Sequence, residues 1–227
     1  MRFILYLLLL VAAPALADQD ADFLAARDAY RAGNPGQLER YAQRLKDSPL
    51  EVYVSYYLLQ MNLRKADARA APGKVEGAVK EFLARPEDTP MIGLLRAEWL
   101  KLLGKKQQWD SFDAEYPRLV NEDPELSCYA LQSLRSKDEQ AALLEARKLW
   151  FSGKSQPESC AVLFEDALSA GIISGTDIRQ RLRLARQVPR VGVEHGAHRA
   201  GEVEHQHDVD ALVVGLLVAE DARRAPH

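Results

Sequence analysis

Acidic side chains occur in two short groups that could in principle cleave a glycosidic bond. A pair of carboxylates can do this, because one protonates the leaving oxygen while the other acts as nucleophile or base. The groups are Asp110, Asp113 and Glu115, and Glu122, Asp123 and Glu125. They fall at expected helix starts and on polar helix faces, where carboxylates ordinarily cap helices or face water. The sequence therefore indicates no catalytic residue among them.

All five histidines lie in the last 33 residues, interspersed with carboxylates. Imidazole and carboxylate groups bind Zn, Ni or Cu. The candidate ligands are His195, His198, His205, His207, Glu194, Glu202, Glu204 and Asp208. Their spacing, HxxH followed by HxH, matches no specific metal-binding motif, so we predict no metal and no cofactor. Residues 1–194 contain no histidine, which excludes serine, cysteine and zinc-type catalysis in this part of the chain. They also contain no glycine-rich phosphate motif.

The first 17 residues, MRFILYLLLLVAAPALA, have the features of a secretory signal. Arg2 precedes an apolar run that extends to Ala13, and a small-x-small triplet ends at Ala17. The run is shorter than the roughly 20 apolar residues that span a bilayer, and no cysteine follows Ala17 to carry a lipid. We therefore expect cleavage after Ala17, a periplasmic location and no stable membrane anchor. A buried N-terminal helix is the alternative.

Export would place Cys128 and Cys160, the two cysteines of the chain, in an oxidising compartment. In an oxidising compartment two cysteines usually pair. Closing the loop between them would stabilise the fold by roughly 3–4 kcal/mol in the chain-entropy model. A catalytic thiol would require a nearby histidine, and none precedes His195. We predict a disulfide, with two free buried thiols as the alternative.

Helices are the elements that must position these side chains. Apolar residues recur at intervals of three and four, as at Phe23, Ala26 and Tyr30, which is the pattern of amphipathic helices. The alternation typical of strands does not occur before residue 188. We predict an all-α fold of about ten helices over residues 18–187.

Turn signals indicate that these helices are short and packed in hairpins. Ser48–Glu51 and Ser136–Glu139 have the form of a capping box, with serine at the cap and glutamate three residues later. Gly33, Gly104 and Gly153 are each expected to close a helix between two aromatic or aliphatic positions. The glycines are not evenly spaced, so we predict an irregular α-solenoid in the style of tetratricopeptide stacks.

Two sets of aromatic side chains are candidates for contact with other molecules. Tyr53, Tyr56 and Tyr57 form a dense group on one expected helix and are a candidate contact surface. The three tryptophans are assigned to the interior between helices, although one of them could line a sugar-binding face: Trp99, Trp109 and Trp150.

A family pattern is carried by Cys128, Leu149-Trp150, the run GKSQP at 153–157, Cys160 and Phe164, with RLRLA at 181–185. This segment resembles the helical N-terminal region of the soluble lytic murein transglycosylases, and the resemblance extends more loosely over residues 19–187. It implies that the two cysteines are bridged and that the helices belong to a ring-forming superhelix. It also implies peptidoglycan glycan strands as the partner, without assigning that contact to particular residues. The tyrosine group is a candidate contact with glycan or with a protein partner on its own pattern alone.

In that family the chemistry belongs to a C-terminal lysozyme-like domain. One glutamate, followed by a serine, protonates the glycosidic oxygen, and the muramyl C6 hydroxyl closes a 1,6-anhydro ring. Glu158-Ser159 matches the first two residues of that motif, but Cys160-Ala161 follows, within the helical region. No catalytic residue is carried over. The resemblance therefore implies a scaffold region of a glycan-cleaving enzyme that is non-catalytic in this chain.

Residues 188–227 differ in composition from those before them. They hold eight valines, against seven in the first 187 residues, and they contain no aromatic residue and no lysine. This amino-acid composition is typical of GC-rich DNA translated in a wrong reading frame. We therefore expect a poorly structured tail produced by a frameshift near codon 187. The predicted organisation is a signal at 1–17, an α-superhelical domain at 18–187 and this aberrant tail.

The charge balance excludes one class of partner. Thirty basic and 33 acidic side chains give a net charge of −3, without the basic field that nucleic acid requires. Two alternatives to the scaffold remain open. One is a stand-alone periplasmic helical-repeat adaptor for a protein partner, and the other is a protein that binds metal through its histidine-rich tail.

Overall fold

The computed structural model describes residues 18–67, 73–86, 89–152 and 154–187. These residues form α-helices and two short 3-10 turns, with no strand among them, which confirms the all-α prediction. Helix α1 occupies residues 18–31. The others are α2 (Pro35–Arg44), α3 (Glu51–Asp67), α4 (Gly73–Leu83), α5 (Pro90–Lys105), α6 (Trp109–Glu115), α7 (Pro124–Arg135), α8 (Glu139–Trp150), α9 (Ala161–Ser169) and α10 (Gly175–Gln187). The predicted signal and tail lie outside the described residues.

The described helices fall into two compact units, one ending at Leu102 and the other beginning at Leu103. In the first unit α3 packs against α2 and α4, and in the second α8 packs against α7 and α9. Helices that follow each other in sequence are therefore neighbours within each unit. A single superhelical domain over residues 18–187 stays a prediction. None of the described helices is both long and apolar enough to cross a bilayer.

Each unit has its own apolar core. In the first, alanines of α1 allow close approach to aliphatic side chains of α2 and α3: Ala26, Ala29, Leu38, Val54 and Met61 are all buried. In the second, the fully buried Trp150 and Phe164 meet edge to face with ring centroids 5.1 Å apart. Aromatic pairs in this geometry gain about 0.5–1.5 kcal/mol beyond their burial.

The start of α8 differs from the sequence prediction. Asp138, and not Ser136, caps this helix, because its carboxylate accepts a 3.0 Å hydrogen bond from the N–H of Ala141. Ser136 lies at the end of α7, where its Oγ donates to the carbonyl of Ser133. A carboxylate at this position also interacts favourably with the positive end of the helix dipole.

The capping box predicted at Ser48–Glu51 is displaced by one residue. The Glu51 carboxylate accepts a 2.8 Å hydrogen bond from the N–H of Asp47, whose backbone has a left-handed φ of 61°. Ser48 Oγ accepts from the N–H of Leu50 instead. The Asp47 bond, reinforced by Arg85, holds the pKa of Glu51 below its ordinary value.

Two helices end in the same backbone motif with different residues at its left-handed position. After α1, Gly33 has φ 65°, its N–H donates to the carbonyl of Tyr30, and the next N–H donates to Ala29. After α5, Gln107 has φ 56°, its N–H donates to the carbonyl of Gly104, and the next N–H donates to Leu103. Both are Schellman motifs. Glycine adopts this conformation without steric cost, whereas glutamine does not.

The prediction that Gly104 closes a helix is therefore wrong in detail, because α5 continues through it to Lys105. Gly104 is needed for close packing, since the Tyr129 ring of α7 lies against its backbone. Gly33 closes α1 as predicted, and Gly153 lies outside the described residues.

A capping box that the sequence analysis did not single out starts α10. The N–H and Oγ of Ser174 both donate to Asp177 Oδ2 at 2.9 Å, and the N–H of Asp177 donates back to Ser174 Oγ. Asp177 Oδ1 accepts a 2.8 Å hydrogen bond from Arg147 of α8. These contacts, with the backbone bond from Ser174 the largest, hold the pKa of Asp177 below its ordinary value.

Replacing Asp177 with asparagine should reduce the acid sensitivity of the fold. Because the pKa of Asp177 is lower in the folded chain, the unfolded chain takes up this proton first as the pH falls. The stabilisation is complete above about pH 4 and is lost as the pH falls through the lower pKa of the folded chain. Urea unfolding at pH 6 and at lower pH should show a shallower decline for Asp177→Asn than for the wild type. Arg147→Gln should keep most of the wild-type decline, and superimposable curves for Asp177→Asn and wild type would contradict this account.

Candidate functional site

Cys128 and Cys160 are joined by a disulfide, as the sequence predicts, with their Cα atoms 5.1 Å apart. Both are fully buried in the core of the second unit, in the same apolar cluster as Trp150 and Phe164. Their sulfur atoms are therefore unavailable as nucleophiles or metal ligands. The bridge links α7 to the 3-10 turn Glu158–Cys160.

Two acidic side chains of the first group, Asp113 and Glu115, form polar contacts with neighbouring residues. Asp113 accepts a 2.7 Å hydrogen bond from Ser133 Oγ and forms an ion pair with Lys137. Glu115 pairs with Arg118 on the same turn.

Those of the second group are engaged in a similar way. Asp123 caps α7 by accepting from the N–H of Leu126. Glu122 accepts hydrogen bonds from the hydroxyls of Tyr116 and Ser127. Burial, followed by the bond to Glu122, raises the pKa of Tyr116 above its ordinary value. Asp123 thus has a capping role of the kind expected for these groups, whereas Asp113, Glu115 and Glu122 form side-chain hydrogen bonds or ion pairs.

The pair Glu158-Ser159 lies in the 3-10 turn before α9. Ser159 Oγ donates to the backbone carbonyl of Glu125, and the following Cys160 is bridged. The absence of a catalytic role for Glu158 stays a prediction.

The tyrosine group is largely internal to the first unit. Tyr57 stacks on Tyr30 of α1 with ring centroids 4.6 Å apart, and Tyr53 meets Phe23 edge-on at 6.0 Å. Tyr56 is only 8% exposed, and burial raises its pKa. These rings join α3 to α1. Their role as a glycan or partner contact stays a prediction, with Tyr53 and Tyr57 as the partly exposed members.

A cleft of about 620 Å³ lies in the second unit and was not foreseen as a whole. It combines one aromatic ring with amide, hydroxyl and charged groups from the turn after α5 and from α6 to α9. The lining residues are Gln107, Trp109, Gln132, Arg135, Ser136, Glu139 and Val162. Trp109 is partly exposed, whereas Trp99 and Trp150 are at most 1% exposed. Trp109 is thus the tryptophan available to a ligand.

The cleft side chains are held by contacts outside it. The Trp109 ring packs edge-on against the fully buried Phe112, with ring centroids 6.1 Å apart. Gln132 Nε2 donates a 2.6 Å hydrogen bond to the carbonyl of Ser159. Arg135 forms a 2.7 Å ion pair with Asp166. The Trp109 ring and two polar side chains of the cleft, Gln132 and Arg135, are therefore held in place without a ligand.

No group of three or more histidine, cysteine, aspartate or glutamate side chains among the described residues is arranged to hold a metal ion. The histidines of the predicted alternative metal site, His195 to His207, lie outside the described residues.

Comparison with known proteins gives relatives of one kind. The soluble lytic murein transglycosylase of Salmonella typhimurium is 24% identical over 184 residues, which cover 81% of this chain. The Escherichia coli K12 protein of the same name is 23% identical over 181 residues, or 80% of this chain. The X-ray structure of an inactive mutant of lytic transglycosylase Slt from Pseudomonas aeruginosa matches 72% of the chain, with a TM-score of 0.54 and 28% identity. The chain is therefore similar to the soluble lytic murein transglycosylases.

The match has a limited extent. The chain spans about a quarter of the length of these soluble lytic murein transglycosylases, with 27% of the Salmonella protein and 25% of the Pseudomonas chain covered. No family model matches the chain. The likeness to the transglycosylases confirms the family resemblance inferred from Cys128 to Phe164.

Sequence reasoning missed the polar members of the cleft. Gln132 and Arg135 both lie on α7, whereas Gln107 belongs to the turn after α5, and no local motif connects the turn to the helix. The sequence feature that indicates the cleft is Trp109, one of the three tryptophans that could line a sugar-binding face.

Proposed function

We propose that residues 18–187 form a periplasmic helical scaffold of a peptidoglycan lytic transglycosylase, arranged as an irregular superhelix. In this proposal the scaffold contacts murein glycan strands and does not itself cleave them. The observation that carries it is the likeness to lytic transglycosylase Slt, at 28% identity and a TM-score of 0.54.

Two features of the chain support this proposal. The buried Cys128–Cys160 bridge is typical of exported proteins, because the cytosol keeps thiols reduced. The candidate acid–base residues Asp113, Glu122 and Asp123 are each engaged in local contacts. The first feature favours the periplasm, and the second favours a scaffold over a catalyst.

Purified chain incubated with murein sacculi should sediment with them and release no 1,6-anhydromuropeptides. Sedimentation follows from glycan contact, and the lack of product follows from the absence of an assigned catalytic glutamate. The products would be measured by liquid chromatography and mass spectrometry, with serum albumin as a control for non-specific sedimentation. Anhydro products above the buffer blank would overturn the non-catalytic role.

The same experiment separates the alternative. A chain that stays in the supernatant at all sacculus concentrations would contradict glycan contact. If it then forms a complex of fixed stoichiometry with a periplasmic protein, the helical-repeat adaptor becomes the better account.

A further inference from the structure

We propose that the cleft around Trp109 binds a saccharide, namely a neutral segment of N-acetylated amino sugars. This inference rests on the proposed function for the source of the saccharide, a glycan strand. It goes further by placing the contact in the second unit and by naming the side chains that make it.

The lining of the cleft matches the chemistry of an amino sugar. A pyranose ring presents a face of C–H bonds that packs on an aromatic ring, and the partly exposed indole of Trp109 offers one. Its edge carries hydroxyl and acetamido groups, which require both donors and acceptors. Gln107 supplies two N–H donors and one carbonyl acceptor, and Glu139 adds an acceptor carboxylate. Gln132 adds its carbonyl acceptor and one N–H, since its other N–H is donated to the carbonyl of Ser159. A small number of polar groups around an aromatic surface is the usual form of a ligand pocket.

The charges of the cleft favour a neutral ligand over an acidic one. Arg135 is the lining residue with a positive charge, and that charge is compensated by Asp166 at 2.7 Å. Glu139 adds a negative charge to the same rim. The lining side chains therefore carry no net positive charge to attract a polyanion or an acidic stem peptide.

The end of α5 places Gln107 at the cleft. Its left-handed φ belongs to the Schellman motif that ends this helix, as the φ of Gly33 belongs to the one that ends α1. Gln107 therefore carries an amide at a position where glycine would supply no side chain, and that amide lines the cleft.

Isothermal titration calorimetry with chitotetraose, a soluble N-acetylglucosamine tetramer, would test the proposal. Trp109→Ala should weaken binding by about tenfold or more, as is usual for a central aromatic anchor. Trp109→Phe should retain most of the affinity because it keeps an aromatic face. Val120→Ala removes a side chain of the same unit that is 82% exposed and does not line the cleft, so it should bind like the wild type.

Two further readouts do not depend on the alanine variant. Acrylamide should quench the fluorescence of Trp109 and not that of the buried Trp99 and Trp150, and chitotetraose should protect Trp109. Gln107→Gly should raise the melting temperature and weaken binding, because it relieves the backbone and removes the amide.

Each result has a distinct meaning for the two proposals. Loss of chitotetraose binding in Tyr53→Ala, with Trp109→Ala unaffected, would overturn the cleft and leave glycan contact by the scaffold intact. Sedimentation with sacculi that is insensitive to Trp109→Ala, combined with binding of a free murein tetrapeptide and not of chitotetraose, would also overturn it. Failure of the wild type to sediment with sacculi would instead refute the proposed function.

Discussion

Removing the Cys128–Cys160 bridge should lower the free energy of unfolding by about 3 to 4 kcal/mol. The two cysteines are 32 residues apart, and the bridge limits the conformations of the unfolded chain between them. Both sulfur atoms are buried in the core of the second unit, so the bridge also joins α7 to the turn before α9 within an apolar cluster. Few single contacts in this chain have a comparable effect, because an ordinary hydrogen bond contributes only about 1 kcal/mol.

Urea unfolding of the wild type with and without dithiothreitol would measure this effect, because reduction keeps both sulfur atoms in place. The double variant Cys128→Ala with Cys160→Ala should lose at least as much stability, since it also removes buried atoms. A thiol assay under denaturing conditions is the control, with no free thiol before reduction and two after it. Equal urea midpoints for the oxidised and reduced forms would refute the prediction.

The elements of this fold were predictable where one local signal decides them. Asp123 caps α7, at one of the helix starts expected for the acidic groups, and three-and-four spacing is sufficient to predict an all-α chain. The capping residue is harder to predict where two neighbouring residues could each cap the same helix. Ser136 and Asp138 both suit a helix start, and only the end of α7 determines that Ser136 belongs to it. Such competition between neighbouring helices is a tertiary effect that a pattern of four residues does not contain.

The candidate site was predictable only in part, for a related reason. The bridge follows from the number of cysteines and the expected compartment, and Trp109 was one of three tryptophans that could line a sugar-binding face. The tyrosine group illustrates the limit. Three tyrosines on one helix give the same sequence pattern whether they face a partner or the preceding helix, and Phe23 and Tyr30 of α1 turn out to pack against them. Likewise Gln107 and Gln132 come together only after the helices have packed.

Replacing Gly104 with alanine should destabilise the second unit by about 1 to 3 kcal/mol, as expected for overpacking of a filled core. A Cβ at this position would lie 2.3 Å from Cγ of Tyr129 and 2.7 Å from both Cδ atoms. These atoms form the base of a ring that is 9% exposed, so the ring cannot move aside without shifting α7. The sequence suggested that Gly104 supplies a turn, and a turn glycine with positive φ would also resist alanine. Steric contact with Tyr129 and a backbone requirement for glycine can be separated, because removing the Tyr129 ring should relieve the penalty only if contact is the cause.

Gly93 is a matched control on the same helix, because nothing lies within 4 Å of its added Cβ. Gly93→Ala should therefore stabilise the chain by about 0.5 to 1 kcal/mol, the ordinary gain for alanine over glycine inside a helix. If contact with Tyr129 is the cause at Gly104, the penalty should shrink in a Tyr129→Ala background, where the ring is absent. Urea unfolding of the four proteins in this double-mutant cycle would measure the coupling. Opposite signs for Gly93→Ala and Gly104→Ala, with a relieved penalty in the Tyr129→Ala background, would assign Gly104 to close helix packing. An undiminished penalty would assign it to backbone conformation.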